Sequence, residues 1–292
     1  MTIPVFYRPE QSSSDAASYS PSADKPRQVV ADWTAHEDIA PHINIESFEP
    51  ASREILYAAH DKAYVDGVLD GTAENGFGNN NKGIAASLLY TTGSMLAAAK
   101  SALTARGNKV AVSPTSGFHH AHYSYGGGYC TFNGLIATAI EVHRLGLAKR
   151  ILILDFDQHY GDGTQAIIDR LGLDYITHIT ACKSYETAEE ALTITSKFRF
   201  SEERLYDLVL YQAGADIHVN DPLGGILTTE QMKQRDRTIF NGCITRRIPL
   251  VWNLAGGYQR DLNGTIAPVL SLHRNTMHQC LRAYGLDKTY KH

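Results

Sequence analysis

The chain has 292 residues, of which 43% are hydrophobic and 20% are charged, and its formal net charge is −4. This length and composition are typical of a globular protein that buries a large core without disulfide bonds. The negative charge argues against a broad nucleic-acid-binding face, which would be basic. No apolar run approaches the roughly 20 residues that a membrane-spanning helix needs, so we expect no membrane partner.

The four cysteines are far apart in the sequence and form no CxxC pair, so a structural zinc knot is not expected. The N-terminal sequence MTIPVFYRPE lacks the basic stretch and apolar run of a signal peptide. These features predict reduced cysteines and a cytoplasmic location. No linker divides the chain, which predicts one domain over residues 1–292.

The first part of the chain alternates loops and helices. Residues 11–27 are rich in Ser, Ala and Pro and predict a loop or an extended segment. A helical pattern covers 51–63, a turn-rich loop follows over 74–83, and a long helix is predicted over 84–105 with Gly107 as its stop signal.

Short, continuous apolar runs then recur along the chain. Such runs suit strands that are buried on both faces, as in a parallel sheet. They lie at 110–112, 151–154, 208–211 and 250–255, and YITHIT at 175–180 is a fifth strand candidate. Helices are predicted between them over 134–145, over 163–171 and after Thr228, whose spacing to Gln231 fits a capping box. This alternation predicts an α/β fold, a three-layer sandwich with a mostly parallel sheet.

Polar and glycine-rich sequence follows each of the four continuous apolar runs. SPTSGFHHAHYSYGGGYC follows 110–112, DFDQHYGDGT follows 151–154, QAGAD follows 208–211 and GGYQRD follows 250–255. Because the carboxyl ends of parallel strands meet at one edge, where ligands bind, we expect these segments to form one site.

The segment after 151–154 has the residue types of a metal site. Alternate residues of an extended chain point the same way, so Asp157 and His159 could face one point with Asp155 behind them. Asp216, at the end of the next strand along the chain, is the natural third ligand. Two carboxylates and an imidazole suit Zn²⁺ with one open position. The plainer interpretation is that these carboxylates only cap helices or solvate strand ends.

Three further groups could take part in chemistry. The adjacent His119 and His120 could supply a general base and an electrostatic partner, although each alone could be an inert surface histidine. Tyr258 follows two glycines and could hydrogen-bond an oxyanion, a weak signal by itself. Gly128 and Tyr129, in a GGGY run that is not a nucleotide loop, suit the wall of a narrow channel.

Taken together, these motifs resemble the active site of the histone deacetylase family, which includes bacterial acetylpolyamine amidohydrolases and acetoin-utilisation proteins. The motifs HHA, GGGYCTFN, DFDQHYGDGT, GAD and GGY occur in the family's order, and YSPSADKP and HDKAYVDGVLDG extend the resemblance upstream. The resemblance implies the arginase/deacetylase fold with an eight-stranded sheet. It implies a zinc-dependent hydrolase of linear amides whose partner is an acylated amine.

The resemblance also implies two ions. Asp157, His159 and Asp216 would be the ligands of one catalytic zinc. A monovalent cation, usually potassium in this family, would lie beside it. Asp155, Asp157, His159 and Thr180 would contribute to the potassium site, with Thr180 at a position where the family commonly has Ser.

The remaining roles follow from the same resemblance. His120 would be the general base and His119 its electrostatic neighbour. Asp155 would orient His119, and Asp162 would orient His120. Tyr258 would bind the carbonyl oxygen of the substrate, and the Gly128–Tyr129 pair would line the acyl-lysine channel.

Several alternatives stay open on the sequence. The substrate could be an acetyl-lysine protein, an acetylpolyamine or another small amide, including one of biosynthetic origin. Related ureohydrolases hold two manganese ions, but one DxDxH and one GAD favour a single catalytic metal. A non-catalytic acyl-binding protein is a further alternative. The oligomeric state, including a homo-oligomer, is not indicated by any sequence feature.

Overall fold

A seven-stranded, wholly parallel sheet forms the centre of the protein in the computed structural model, which describes residues 2–13, 20–200 and 206–286. The strands are β1 (Ile3–Phe6), β2 (Ile43–Glu46), β3 (Val110–Val112), β4 (Ile151–Asp155), β5 (Ile176–Ile179), β6 (Leu208–Gln212) and β7 (Leu250–Asn253). Their order across the sheet is β2-β1-β3-β7-β6-β4-β5.

Nine α-helices are present in the described part of the chain. They are α1 (Lys25–Ala35), α2 (Arg53–Tyr57), α3 (Lys62–Asp70), α4 (Lys82–Thr104), α5 (Gly134–Arg144), α6 (Asp162–Leu171), α7 (Ala188–Phe200), α8 (Thr229–Arg246) and α9 (Ala267–Ala283). Side chains of α1, α7, α8 and α9 pack in one core cluster, and those of α4, α5 and α6 pack in another. The helices therefore form two outer layers, which gives the predicted three-layer sandwich.

The strands supply both core clusters because successive side chains point to opposite faces of a sheet. In β4, Leu152 and Leu154 belong to the α1/α7/α8/α9 cluster, whereas Ile151 and Ile153 belong to the α4/α5/α6 cluster. All five residues of β4 are buried. This burial on both faces explains why the continuous apolar runs predicted these strands correctly.

The predicted eight strands become seven among the described residues, and two of the seven were not predicted. The strand β1 contains Pro4, and the strand β2 has two exposed residues at its centre, so neither presents a continuous apolar run. Both lie at one side of the sheet, where β2 is the edge strand. The edge strand β2 tolerates exposed residues because only one of its sides needs a hydrogen-bonding neighbour. The strand β1 pairs with both β2 and β3, and it was missed because Pro4 interrupts its apolar pattern.

Two predicted segments differ from the structure. The predicted helix over 51–63 is two short helices, α2 and α3, because Asp61 caps the second by accepting a hydrogen bond from the Tyr64 backbone N–H. The predicted loop over 11–27 ends earlier, since α1 begins at Lys25, and residues 14–19 lie outside the described residues. The helix predicted after Thr228 is confirmed, with the capping box formed by Thr228 and Gln231.

Within the described ranges, no helix has both the length and the apolar character needed to cross a membrane. The organisation of residues 1–292 as a single domain stays a prediction.

Candidate active site

Three predicted metal ligands meet at the carboxyl edge of the sheet. Asp157 and His159 follow β4, and Asp216 follows β6, the strand paired with β4. Their candidate ligand atoms lie within 4.8 Å of one another. The Nδ1 atom of His159 is 3.1 Å from Asp157 Oδ1 and 3.2 Å from Asp216 Oδ2. The two carboxylates and the imidazole therefore share one small volume.

The charges in this volume call for a cation. Asp157 and Asp216 are buried, and Asp216 Oδ2 has no hydrogen-bond partner among the described residues although His159 Nδ1 is near. Burial and the neighbouring charge of Asp157 raise the pKa of Asp216 to about 7. The two carboxylates raise the pKa of His159 to about 10, so the metal-free cluster holds a proton on that ring. A divalent cation would take the place of this proton and allow both carboxylates to be ionised. Two carboxylate oxygens and one imidazole nitrogen are a donor set that suits zinc.

A glycine allows the backbone to pass close to these carboxylates. The Gly256 backbone N–H donates to Asp157 Oδ2 at 3.0 Å. A Cβ atom at Gly256 would lie 2.1 Å from Asp216 Oδ2, so only glycine fits without a rearrangement. On the opposite side, the Gln158 N–H donates to Asp216 Oδ1 at 3.2 Å. Backbone donors thus fix both carboxylates and leave one oxygen of Asp216 for an external partner.

His119 forms a buried pair with Asp155. Its Nδ1 atom is 2.7 Å from Asp155 Oδ2, and its Nε2 atom is 3.5 Å from Asp157 Oδ1. Gln212 donates to the other oxygen of Asp155 at 2.7 Å and fixes that carboxylate. Burial opposes a charge on His119, but the carboxylates of Asp155 and Asp157 outweigh it and raise the pKa to about 9. In the metal-free protein this ring is therefore a cation.

His120 forms a second, more open pair with Asp162. Its Nδ1 atom is 2.7 Å from Asp162 Oδ1, and the second oxygen of Asp162 is 3.3 Å from His122 Nε2. Burial, together with the charge of His119, lowers the pKa of His120. A carboxylate at Nδ1 favours the tautomer with the proton on that atom, which leaves Nε2 with a lone pair.

Tyr258 and Tyr129 stand across a narrow cavity from these groups. Their ring centroids are 6.2 Å apart, and the Tyr258 backbone N–H donates to Asp221 Oδ2 at 2.8 Å. Gly128 has a φ of +52°, and a Cβ atom there would lie 2.5 Å from His120 Cδ2, so this glycine lets the loop pack on the histidine ring. Both histidines, both tyrosines, Gly128, Asp157 and His159 line the same cavity.

Thr180, the last residue of the predicted potassium site, is buried at the end of β5. Its hydroxyl oxygen accepts a hydrogen bond from the Gly161 backbone N–H at 2.9 Å. The carbonyl oxygens of Asp155 and Asp157 both lie near the hydroxyl of Tyr185, which the sequence analysis did not single out. The potassium ion stays a prediction.

Two residues that support the site from a distance, Lys25 and Gln212, were not predicted from the sequence. Lys25 is fully buried, and its ammonium group donates to the carbonyl oxygens of Ala255 and Gly256 in the loop before Tyr258. Burial lowers the pKa of Lys25 to about 8. No sequence signal marks this contact, because Lys25 lies in a stretch predicted to be a loop. Gln212, the polar end of an apolar strand, carried a signal that could have been used.

The chain is similar to known proteins of one family. The model of the histone deacetylase domain matches residues 21–205 of the chain. Histone deacetylase 2 of Arabidopsis thaliana is 31% identical over 185 residues, which cover 54% of this chain and 46% of that protein. Histone deacetylase 14, chloroplastic, of the same organism is 26% identical over 237 residues, or 64% of this chain and 55% of that protein.

An uncharacterized protein of Picosynechococcus sp. is 28% identical over 232 residues, which cover 73% of this chain and 76% of that protein. The chain thus spans about half the length of the two Arabidopsis proteins and more of the Picosynechococcus protein. The domain match covers more than half of the chain, and the parallel α/β fold agrees with it. The chain belongs to the histone deacetylase family.

Proposed function

We propose that this protein is a zinc-dependent deacetylase that hydrolyses the amide bond of an acylated amine. One observation carries the proposal: His119, His120, Asp157, His159 and Tyr258 line one narrow cavity. Asp216 completes the cluster with Asp157 and His159, and Asp155 and Asp162 pair with the two adjacent histidines from behind. Each group supplies a different function that amide hydrolysis needs, and a merely structural arrangement would not require them to converge.

Asp157, His159 and Asp216 would hold the zinc ion. When bound, zinc would act as a Lewis acid toward the amide carbonyl and would make a water molecule more acidic. The family relationship and the orphaned oxygen of Asp216 support this choice of ligands. The chain's own residues would then manage the protons and the developing charge.

His120 is the proposed general base. The Asp162 carboxylate at Nδ1 directs the lone pair of Nε2 toward the cavity, where it would accept a proton from the attacking water. The same atom would return the proton to the amine that leaves. Hydrogen bonding to Asp162 would also stabilise the imidazolium form that exists between these two transfers.

His119 and Tyr258 would stabilise charge. The buried His119–Asp155 pair lies beside His120, with the two histidine ring centroids 4.1 Å apart, and it would hold a positive charge near the reacting carbonyl. The Tyr258 hydroxyl would donate a hydrogen bond to the oxyanion that forms as the carbonyl is attacked. Tyr129 and Gly128 would form the wall that admits a linear acyl group.

A panel of acylated amines tests the reaction class. Purified, zinc-loaded protein is offered acetyl-lysine peptides, peptides with longer acyl groups, acetylpolyamines and simple amides, and free amine is measured. We expect turnover of at least one class and loss of turnover with a chelator. In His120→Ala we expect kcat to fall about 10²–10⁴-fold, the usual contribution of a general base.

Zinc content measured in the same samples distinguishes loss of the metal from loss of the general base as the cause of inactivity. His120 is not a proposed ligand, so His120→Ala should keep its zinc while it loses activity. Turnover of no substrate despite bound zinc would contradict the proposed reaction and favour an acyl-binding protein. Unchanged activity in His120→Ala would remove the role given to the base.

A further inference from the structure

Tyr185 lies directly beneath the loop that carries the proposed metal ligands. It is 3% exposed, and its hydroxyl donates to the carbonyl oxygen of Asp155 at 3.0 Å, with the carbonyl oxygen of Asp157 at 3.3 Å. Its ring stacks on Phe156 with a centroid separation of 5.1 Å and an interplanar angle of 16°. The side chain of Tyr185 thus contacts three consecutive residues of the segment 155–159, which we call the ligand loop.

A tight turn after β5 brings Tyr185 to this position. The Ser184 N–H donates to the Thr180 carbonyl at 2.9 Å, and the Cys182 N–H donates to the Tyr185 carbonyl at 2.8 Å. Cys182 has a φ of +58°, in the left-handed region that non-glycine residues seldom adopt. The chain therefore reverses within a few residues, and Tyr185 points back under the end of β4.

The two carbonyl groups are the acceptors that a monovalent cation would need. Potassium sites in proteins are built from oxygens, and backbone carbonyls are frequent among them. A hydroxyl donor satisfies the same lone pairs without an ion. A phenol with an ordinary pKa of about 10 is protonated at neutral pH and is able to donate a hydrogen bond. Both kinds of partner satisfy a buried carbonyl group, which is costly to leave unpaired.

A further predicted ligand of the potassium ion also has a partner within this chain. The Thr180 hydroxyl, expected as an ion ligand, already accepts from the Gly161 N–H. Positive charge is present on the same side of the loop, because Arg235 is fully buried with its guanidinium carbon 5.9 Å from the centre of the Phe156 ring. Arg235 is held there by Asp236 and by the Gly214 carbonyl, at 2.8 Å and 3.0 Å.

We infer that the Tyr185 hydroxyl replaces the potassium ion beside the metal centre, so that this protein holds its ligand loop without a monovalent cation. This protein would therefore lack the potassium site that the family resemblance implies. The proposed zinc site and reaction are unaffected, and the test below uses metal-free protein, so its failure would not be a failure of the proposed function.

Thermal unfolding of metal-free protein in different salts tests the inference. The midpoint is measured in potassium chloride and in choline chloride at equal ionic strength, with potassium varied in the first series. We expect the wild-type midpoint to be the same in both salts. A saturable rise of the wild-type midpoint with potassium, absent in choline, would overturn the inference, because it would show a bound ion.

The variant Tyr185→Phe removes the hydroxyl and keeps the ring that stacks on Phe156. In choline chloride we expect its midpoint to fall by roughly 2–4 °C, the loss expected when one buried hydrogen bond is removed from a chain of this size. Potassium should restore part of this loss in a saturable way, because the freed carbonyl groups can then bind the ion. An unchanged midpoint in choline, or a loss that potassium leaves fully in place, would contradict the exchange of hydroxyl for ion.

Tyr64→Phe is a matched control. Tyr64 is also buried, and its hydroxyl donates to a backbone carbonyl, that of Thr131, at 2.8 Å. This variant loses the same kind of hydrogen bond outside the ligand loop. We expect a comparable fall in the midpoint and the same value in both salts. A potassium response in Tyr64→Phe as large as that in Tyr185→Phe would make the response nonspecific and would overturn the assignment.

Discussion

The metal-ligand cluster and the region around His60 both contain buried polar side chains, but they differ in whether these side chains have hydrogen-bond partners. In the cluster of Asp157, His159 and Asp216, an oxygen of Asp216 has no hydrogen-bond partner among the described residues. His60 is 1% exposed and both of its ring nitrogens are bonded. The difference suggests that the first region is completed by a ligand and that the second is complete in the folded chain.

His60 connects the loop that contains His122 with Asn133, the residue that precedes α5. Its Nδ1 atom is 2.9 Å from the carbonyl oxygen of His122, and its Nε2 atom accepts from the Asn133 N–H at 2.8 Å. The Asn133 side chain in turn accepts from the Ile136 N–H and caps α5. His60 therefore stabilises the fold around His120 and Asp162 without facing the cavity.

The largest effect is expected for Asp216→Asn, which removes one of the two like charges of the metal-ligand cluster. We expect activity to fall to background and zinc binding to be lost, because an amide is a poor substitute for a carboxylate ligand. We also expect the metal-free variant to unfold at a higher temperature than the metal-free wild type, because a buried charge without full compensation is removed.

Zinc by elemental analysis and thermal unfolding check these outcomes together. Asp174→Asn, at an exposed position, is the matched control and should leave both measurements unchanged. If Asp216→Asn bound zinc stoichiometrically, or if its metal-free form were less stable than the wild type, the view of Asp216 as an incomplete ligand would be wrong.

Tyr258→Phe is expected to have the next largest effect and to separate metal binding from catalysis. The variant should fold and bind zinc, and kcat should fall about 10²–10³-fold because an oxyanion donor is missing. Steady-state kinetics with the best substrate of the panel measure this. Tyr125→Phe, at a side chain that is 54% exposed, should behave like the wild type. Full activity in Tyr258→Phe would exclude the proposed role.

The smallest effect is expected at His60 and concerns stability against pH. Burial lowers the pKa of His60 to about 4, so the unfolded chain, with a pKa near 6.5, binds a proton more tightly than the folded protein. The contribution of His60 to stability is therefore fully present above pH 6.5 and decreases as the pH falls from about 6.5 to 4, by up to about 3 kcal/mol.

Urea unfolding at several pH values between these limits measures that slope. In His60→Gln the titrating group is absent, so we expect lower stability at neutral pH and a shallower decrease toward pH 4. His42→Gln, at a partly exposed ring, should keep the wild-type slope. A His60→Gln variant with the wild-type slope would show that His60 does not cause the decrease.

The sequence predicted most of what depends on local pattern. The strand at 151–154 and the adjacent Asp157 and His159 were predictable because burial on both faces leaves a continuous apolar run and the ligands follow it directly. The contact of Lys25 with the Gly256 carbonyl was not predictable, because 231 positions separate the residues and neither has a local signal. Tyr185 was missed for a related reason, since its role depends on a left-handed turn at Cys182.

Zinc binding by the wild type and by Asp157→Asn tests the central claim most directly. Metal-free protein is titrated with zinc, dialysed and analysed for metal, with deacetylation of an acetyl-lysine peptide and an acetylpolyamine measured on the same samples. We predict one zinc per wild-type chain with activity that rises in proportion to bound zinc, and neither in the variant. Stoichiometric zinc in Asp157→Asn, or deacetylation by the metal-free wild type, would contradict the account.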